Sequence, residues 1–305
     1  MGQLAGQDLI VLEKGLKTAF FKAFEAHPAQ WPKIAMKTDS KSNQEKYGWL
    51  GSAPVMREWK DERVPKGLLQ SDYTIVNNHY EASIGVNKDD FEDDQYGQII
   101  VRIQDMAERA KEHPDELIST LRVAGTAALC YDGQYFYDTA HSEGSSGTLS
   151  NIVTGSGTSV SNIKTDFLSA LAKFRTFKDD RGKPFHANNL QLVVVCPPNL
   201  EGQFMEFLTA AIISQTTNIF VNKADLMIDP YLSDTNDWYL DVVNRSVKGF
   251  IFQERKPVQF ASTASKGTEF QSDQEFHANH VYYGIDARYN VGYGLWQNSV
   301  KVTNT

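Results

Sequence analysis

Residues 89–128, DDFEDDQYGQIIVRIQDMAERAKEHPDELISTLRVAGTAA, decide the fold. Ile99/Ile100, Ile103, Met106/Ala107 and Ala110 recur at the three- and four-residue spacing of one helical face. Arg102, Gln104, Asp105, Glu108, Arg109 and Lys111 fall on the opposite face. The acidic run Asp89–Asp94 stands before the helix, where negative charge suits the helix dipole. His113-Pro114-Asp115-Glu116 interrupts the pattern, with Pro114 placed as the first residue of a new turn. Leu117, Leu121, Ala124 and Ala128 then continue a helical face. The expectation is a long, kinked helix of roughly 35 residues, about 50 Å end to end, which exceeds the width of most single domains. Ile99, Ile103 and Met106 are its expected core positions.

On the N-terminal side, residues 72–86 read as a hairpin. Tyr73-Thr-Ile-Val76 leads to Asn77-Asn78, after which Tyr80, Ala82, Ile84 and Val86 alternate with Glu81, Ser83 and Gly85. Residues 33–72 are polar and rich in turn residues yet carry Trp49, Val55, Trp59 and Val64, the mark of extended chain with aromatic anchors. Residues 8–24 form an amphipathic helix on Leu9, Leu12, Leu16, Phe20 and Phe24, ended by Pro28 and Pro32.

On the C-terminal side, residues 141–161 form a Gly/Ser/Thr-rich loop. A helix over 163–177, a strand over 190–196 and a helix over 199–213 opened by Pro197-Pro198 make an αβ segment. Strands follow around 225–229, 237–243, 248–253 and 280–300. There is no internal repeat.

The chain has 305 residues, 41% of them hydrophobic, enough for a real core and incompatible with disorder or a disulfide scaffold. Its net charge of −8 and scattered Lys and Arg provide no basic face for nucleic acid. No apolar run approaches the roughly 18 residues of a membrane span, and the N-terminus lacks a signal peptide's basic and apolar regions. Cys130 and Cys196 sit among apolar neighbours and read as two buried thiols suited to a reducing cytoplasm.

No Gly-x-Ser-x-Gly, Walker A, HExxH or CxxC motif occurs. Gly155-Ser156-Gly157 and Gly292-Tyr293-Gly294 lack the third glycine of a dinucleotide fingerprint and read as turns. His277-x-x-His280 has no third ligand beside it, so no metal is expected there. Asp138, His141 and Ser145 lie together in sequence but in a Gly/Ser loop, which reads as a solvated turn rather than a triad. No catalytic, cofactor or metal residues are expected from this reading.

The order of segments resembles the major head (capsid) subunit of Mu-like bacteriophages. The resemblance is carried by Phe20–Phe24, Tyr47–Gly51, Arg57-Glu58-Trp59, Tyr80–Val86, Asp89–Asp94, His113–Leu117, Leu129–Gln134, Tyr283–Arg288 and Gly292–Trp296. It spans nearly the whole chain, and Lys88 departs from it where an arginine is expected. It implies an α+β fold of the Hong Kong 97 capsid type. The implied parts are an N-terminal arm (1–46), an extended E-loop hairpin (47–90), the spine helix of a peripheral domain (91–130), an axial domain (131–275) and return strands of the peripheral domain (276–305).

The implied function is a non-catalytic subunit that assembles with itself, as hexamers and pentamers, into the icosahedral head shell around the phage genome. Implied partners are a scaffold, a maturation protease, a portal and a decoration protein, with DNA touched only non-specifically and no membrane involved. The implied location is the virion, reached from the host cytoplasm. Trp49, Trp59, Tyr73 and Tyr80, with Arg63 among them, have the composition of an interface with aromatic anchors and a polar rim. An encapsulin-like compartment of the same fold is one alternative. A cytoplasmic α/β hydrolase is a second, although it leaves the hairpin and the missing nucleophile unexplained.

Overall fold

The computed structural model describes residues 6–50, 73–87, 96–213, 216–263 and 279–304. In chain order its elements are helix α1 (Gly6–Ala26), the single turn α2 (Trp31–Ile34), β1 (Ala35–Asp39), β2 (Gln44–Lys46), β3 (Thr74–Val76), β4 (Asn78–Asn87) and the long helix α3 (Tyr96–Ala124). They continue with β5 (Ile152–Thr154), α4 (Val160–Thr176), β6 (Leu192–Cys196), α5 (Glu201–Thr209), β7 (Ile212–Ile213), β8 (Thr216–Thr217), β9 (Asp225–Ile228), β10 (Trp238–Val242), β11 (Phe250–Ser262), β12 (His280–Tyr293) and β13 (Ser299–Thr303). The chain divides into two compact units.

The first unit comprises Met1–Ala29, Asn77–Asp115 and Glu254–Asn290. Its core joins Leu16 and Phe20 of α1, Ile99, Ile103, Met106 and Ala107 of α3, Val86 of β4, and Val281, Tyr283 and Ile285 of β12. The three α3 residues expected to face a core are therefore buried. From His280 to Asn290 strand β12 alternates, with Val281, Tyr283, Ile285, Ala287 and Tyr289 turned inward, because successive side chains of a strand point to opposite faces. It pairs antiparallel with β4, from His280↔Asn87 to Tyr289↔Asn78. Leu16 and Phe20 of the N-terminal helix are thus covered within the chain.

The hairpin expected over 72–86 does not form. Strand β3 pairs with β2, Ile75 opposite Glu45, while β4 pairs with β12. Local alternation specified two strands correctly, but the partner of each comes from a distant segment. The full order of the sheet containing β4 is β1-β11-β12-β4.

Helix α3 has 29 residues and runs through Pro114 without a break, so the expected interruption at His113–Glu116 is corrected. At about 1.5 Å per residue it is roughly 43 Å long. Its end is set by a close approach. A Cβ on Gly125 would lie 2.6 Å from the Tyr137 ring, and the Gly125 carbonyl accepts the Tyr137 N–H at 2.8 Å.

The second unit comprises Gln30–Val76, Glu116–Gln253 and Val291–Thr305. It is built on a five-stranded sheet of order β5-β13-β10-β6-β9. β6 lies parallel to β9 and antiparallel to β10, and β13 lies antiparallel to β10 and parallel to β5. Every residue of β6 and β10 is buried, which accounts for the unbroken apolar run Leu192–Cys196. Helix α4, capped by the Ser159 hydroxyl accepting from the Asn162 N–H, contributes Ile163, Phe167, Ala170 and Phe174 to this core. The expected helix over 199–213 ends at Thr209, and Ile212-Ile213 form a short strand with Thr216-Thr217. The β-branched pair favours extended chain over a last helical turn. The last strand, β13, joins this sheet, whereas β12 before it runs beside β4.

His186 is buried among Phe174, Phe177 and Phe185 and shares a 2.8 Å hydrogen bond with the Gln297 carbonyl. Burial, reinforced by Arg245 and Arg175, pulls its pKa from 6.5 down to about 4. The folded chain thus refuses a proton that the unfolded chain accepts. Its contribution to stability is complete above the unfolded value and falls by about 1.4 kcal/mol per pH unit as pH drops toward the folded one. Urea midpoints measured down this acid limb are expected to fall more steeply for the native sequence than for His186→Gln. Parallel curves would assign the limb to other groups.

Candidate functional site

Two buried polar clusters lie in the second unit. In the first, Arg122 of α3 is 0% exposed and reaches Asp241 of β10 through Nη2–Oδ2 at 2.5 Å and Nη1–Oδ1 at 3.3 Å. Nη1 also donates to the Tyr137 hydroxyl at 3.2 Å, and the Ser299 hydroxyl donates to Asp241 Oδ1 at 2.6 Å. The guanidinium lies 4.6 Å and 4.8 Å from the centroids of Phe250 and Tyr239. Burial works against its charge, and Asp241 more than offsets this, so Arg122 is held firmly protonated.

The spacing of Leu117, Leu121, Ala124 and Ala128 continues a helical face in this part of the helix. Leu121 and Ala128 are partly buried against the core and Ala124 is exposed, while Ile118, Ser119 and Arg122 are more deeply buried. The cluster was missed because an arginine in a helix reads as solvent-facing. Only the arrival of Asp241 on β10 reverses that.

The second cluster sits on the turn after α3. The Cys130 N–H donates to the Gln134 carbonyl and the Gly133 N–H to the Cys130 carbonyl, with Gly133 at φ +81°. Asp132 Oδ1 accepts from the Gln134 N–H at 3.1 Å and from the Cys130 thiol at 3.0 Å, while Oδ2 meets His141 Nδ1 at 2.7 Å. Burial pushes the Cys130 thiol up, with Asp132 adding to it. Burial also raises Asp132, but His141 together with the hydrogen bonds from the Cys130 thiol and the Gln134 N–H outweighs it and holds the carboxyl below its usual range.

The His141 ring stacks on Trp296 at 4.0 Å, with 6° between the planes. Glu143 Oε1 accepts from Trp296 Nε1 and Gln297 Nε2, each at 2.9 Å, and from the Tyr131 hydroxyl. Burial raises the Glu143 carboxyl.

This arrangement corrects the reading of the segment holding Asp138, His141 and Ser145 as a solvated turn. His141 is 0% exposed, and its backbone exchanges hydrogen bonds with Leu149. Its carboxylate partner is Asp132, whereas Asp138 Oδ1 accepts from the N–H groups of Thr139 and Ala140. The Asp138–His141–Ser145 triad is therefore not formed. Cys130 and Cys196 are both buried and unbridged.

Of the interface candidates, Trp49 is 36% exposed, with its ring 5.9 Å from that of Tyr47. Tyr73 is partly buried, and its hydroxyl accepts from the Tyr293 N–H at 2.7 Å. Tyr80 lies against Tyr289 at 4.9 Å and His113 at 4.5 Å in the first unit. Trp59, Arg63, the acidic run 89–94, Lys88 and His277 lie outside the described residues. No helix among the described residues is long and apolar enough to cross a membrane.

A chain of two units, one with a long helix on long antiparallel strands and the other with a buried mixed sheet, carrying buried polar clusters that brace strands, has the make-up of a shell-forming structural protein of the Hong Kong 97 capsid type. The virus-like particle of Pyrococcus furiosus shares this fold at a TM-score of 0.56 with 10% identity, over 95% of this chain and 98% of that one. The procapsid chain of bacteriophage JBD30 matches at a TM-score of 0.59 and 28% identity, over 97% of this chain and 76% of that one.

In sequence, the chain is 30% identical to the major capsid protein of Escherichia phage Mu over 293 residues, 95% of this chain and 72% of that protein. Residues 9–166 and 233–305 match the model of the Mu-like prophage major head subunit gpT. The chain belongs to that family. It is a major head subunit and hence a component of the virion.

Proposed function

We infer that copies of this chain associate as hexamers and pentamers, closing into the icosahedral head shell around the phage genome without performing catalysis. Membership of the major head subunit family over most of the chain carries this reading. The buried clusters favour it as well. Arg122, Asp241, Asp132 and Glu143 are all engaged by neighbouring side chains, as bracing requires. A scaffold, a maturation protease, a portal and a decoration protein are the partners such a shell needs. The net charge of −8 suits a lining that touches DNA only non-specifically.

Electron microscopy of the purified protein tests the reading. Closed icosahedral particles or six- and five-membered rings are expected. A persistent monomer after co-expression with its scaffold would overturn it.

Within the shell, Trp49, Trp59, Arg63, Tyr73 and Tyr80 are proposed as intersubunit contacts, and the exposure of Trp49 favours its part. Trp59→Ala is expected to leave the circular dichroism and melting temperature of the isolated subunit nearly unchanged while abolishing or weakening assembly. A loss of about 2 kcal/mol per contact, repeated over many identical contacts, is decisive for a shell. A variant that melts early yet assembles normally in the cold would place Trp59 in the subunit's own core.

A further inference from the structure

We propose that Cys130, Asp132 and His141 form a binding site for a divalent cation of the zinc type. The three side chains each offer one ligand atom, and these atoms lie within 4.8 Å of one another. A thiolate, a carboxylate and an imidazole are the donor types that such ions take, at bond lengths of about 2.0–2.3 Å, which separates tetrahedral ligand atoms by about 3.3–3.8 Å. The Cys130–Asp132 and Asp132–His141 contacts at 3.0 Å and 2.7 Å need to open only slightly to admit an ion.

The ligands stand on a braced frame. Asp132 is held by the Gln134 N–H and by the turn at Gly133, and His141 by its stack on Trp296 and its backbone pairing with Leu149. The side chains of His141 and Asp132 are 0% and 4% exposed. His141 Nε2 is buried and has no hydrogen-bond partner.

Charge balance favours a cation. Asp132 and Glu143 are two carboxylates in one buried neighbourhood, and among the described residues neither is paired with a lysine or arginine. His141 is the one group there able to carry positive charge. The ion would take the place of the two protons that now join the three heteroatoms. The thiol proton leaves to solvent, and the imidazole proton resides on Nε2 while Nδ1 binds the metal. Glu143, fixed by Trp296, Gln297 and Tyr131, supplies a second negative charge behind the ligands. The exposed turn residues Gly133, Gln134 and Tyr135 provide the way in. A fourth ligand position is left for water. Such an ion would clip the turn at 130–134 to the bridge at His141, independently of whether shells form.

The test uses the whole 305-residue chain, stripped with chelator and titrated with Co²⁺, whose thiolate complexes give a near-ultraviolet charge-transfer band. The expected result is one Co²⁺ per chain, with the band present in the native sequence and in Cys196→Ala, displaced by Zn²⁺, and absent in Cys130→Ser. Asp132→Asn is expected to weaken binding by about tenfold or more. Cys196→Ala leaves Cys130 as the sole thiol, so its spectrum decides the matter even if Cys130→Ser fails to fold. No charge-transfer band in Cys196→Ala, or a band that survives Cys130→Ser, would overturn the assignment.

Discussion

Arg122→Met is expected to destabilise the subunit by about 3–5 kcal/mol, because it leaves the Asp241 carboxylate buried without its counter-charge. The arginine makes two contacts to Asp241 and one to Tyr137, and it is packed between Phe250 and Tyr239. The Ser299 hydroxyl remains as a donor to Asp241 but carries no charge. The double variant Arg122→Met/Asp241→Leu is expected to recover much of the loss, since replacing both members of a buried pair by apolar groups of similar size is often neutral or stabilising. Urea midpoints of the single and double variants check this. A single variant as stable as the native chain would mean that the pair contributes nothing. A double variant no better than the single would show that the aromatic packing of the guanidinium, rather than its charge, is what matters.

The other large effect is expected at Ile103, which is 0% exposed in the core of the first unit between α1 and the β4/β12 strands. Ile103→Asp places a carboxylate among these apolar side chains, at a cost of roughly 4 kcal/mol or more. Insoluble protein is expected. Ile103→Val removes one methylene and is expected to cost only about 0.5–1.5 kcal/mol. Soluble aspartate variant at native yield, assembling normally, would show that the face of α3 is misassigned.

Both sites lie on α3, and they were not equally legible. The first half of the helix obeys the usual rule that the apolar stripe faces inward, so Ile99, Ile103 and Met106 could be chosen from spacing alone. The second half breaks it, burying Ser119 and Arg122. There the deciding partners are Asp229, which takes the Ser119 hydroxyl, and Asp241. Both lie more than a hundred positions further along the chain.

The Cys130–Asp132–His141 cluster escaped for a related reason. A search for CxxC and HxxH looks for ligands on one element. Here the bridge between Leu129 and Tyr135 and the bridge between His141 and Leu149 bring unlike ligands together.

What the sequence determined by itself is local. The apolar periods of α1, α3 and α4, the buried run of β6 and the alternation of β4 follow from which side chains water excludes at a spacing of two or of 3.6 residues. The order of segments was enough to show the family resemblance. Tertiary structure decided the pairings: β3 with β2 rather than β4, β13 beside β10, and α1 covered by its own unit. It also decided which polar groups are buried. Hydrophobic period records only that a side chain has an inner or an outer face. Strand partners and ion pairs depend on which distant segment arrives opposite, and a charge is buried only where that segment brings the opposite charge with it.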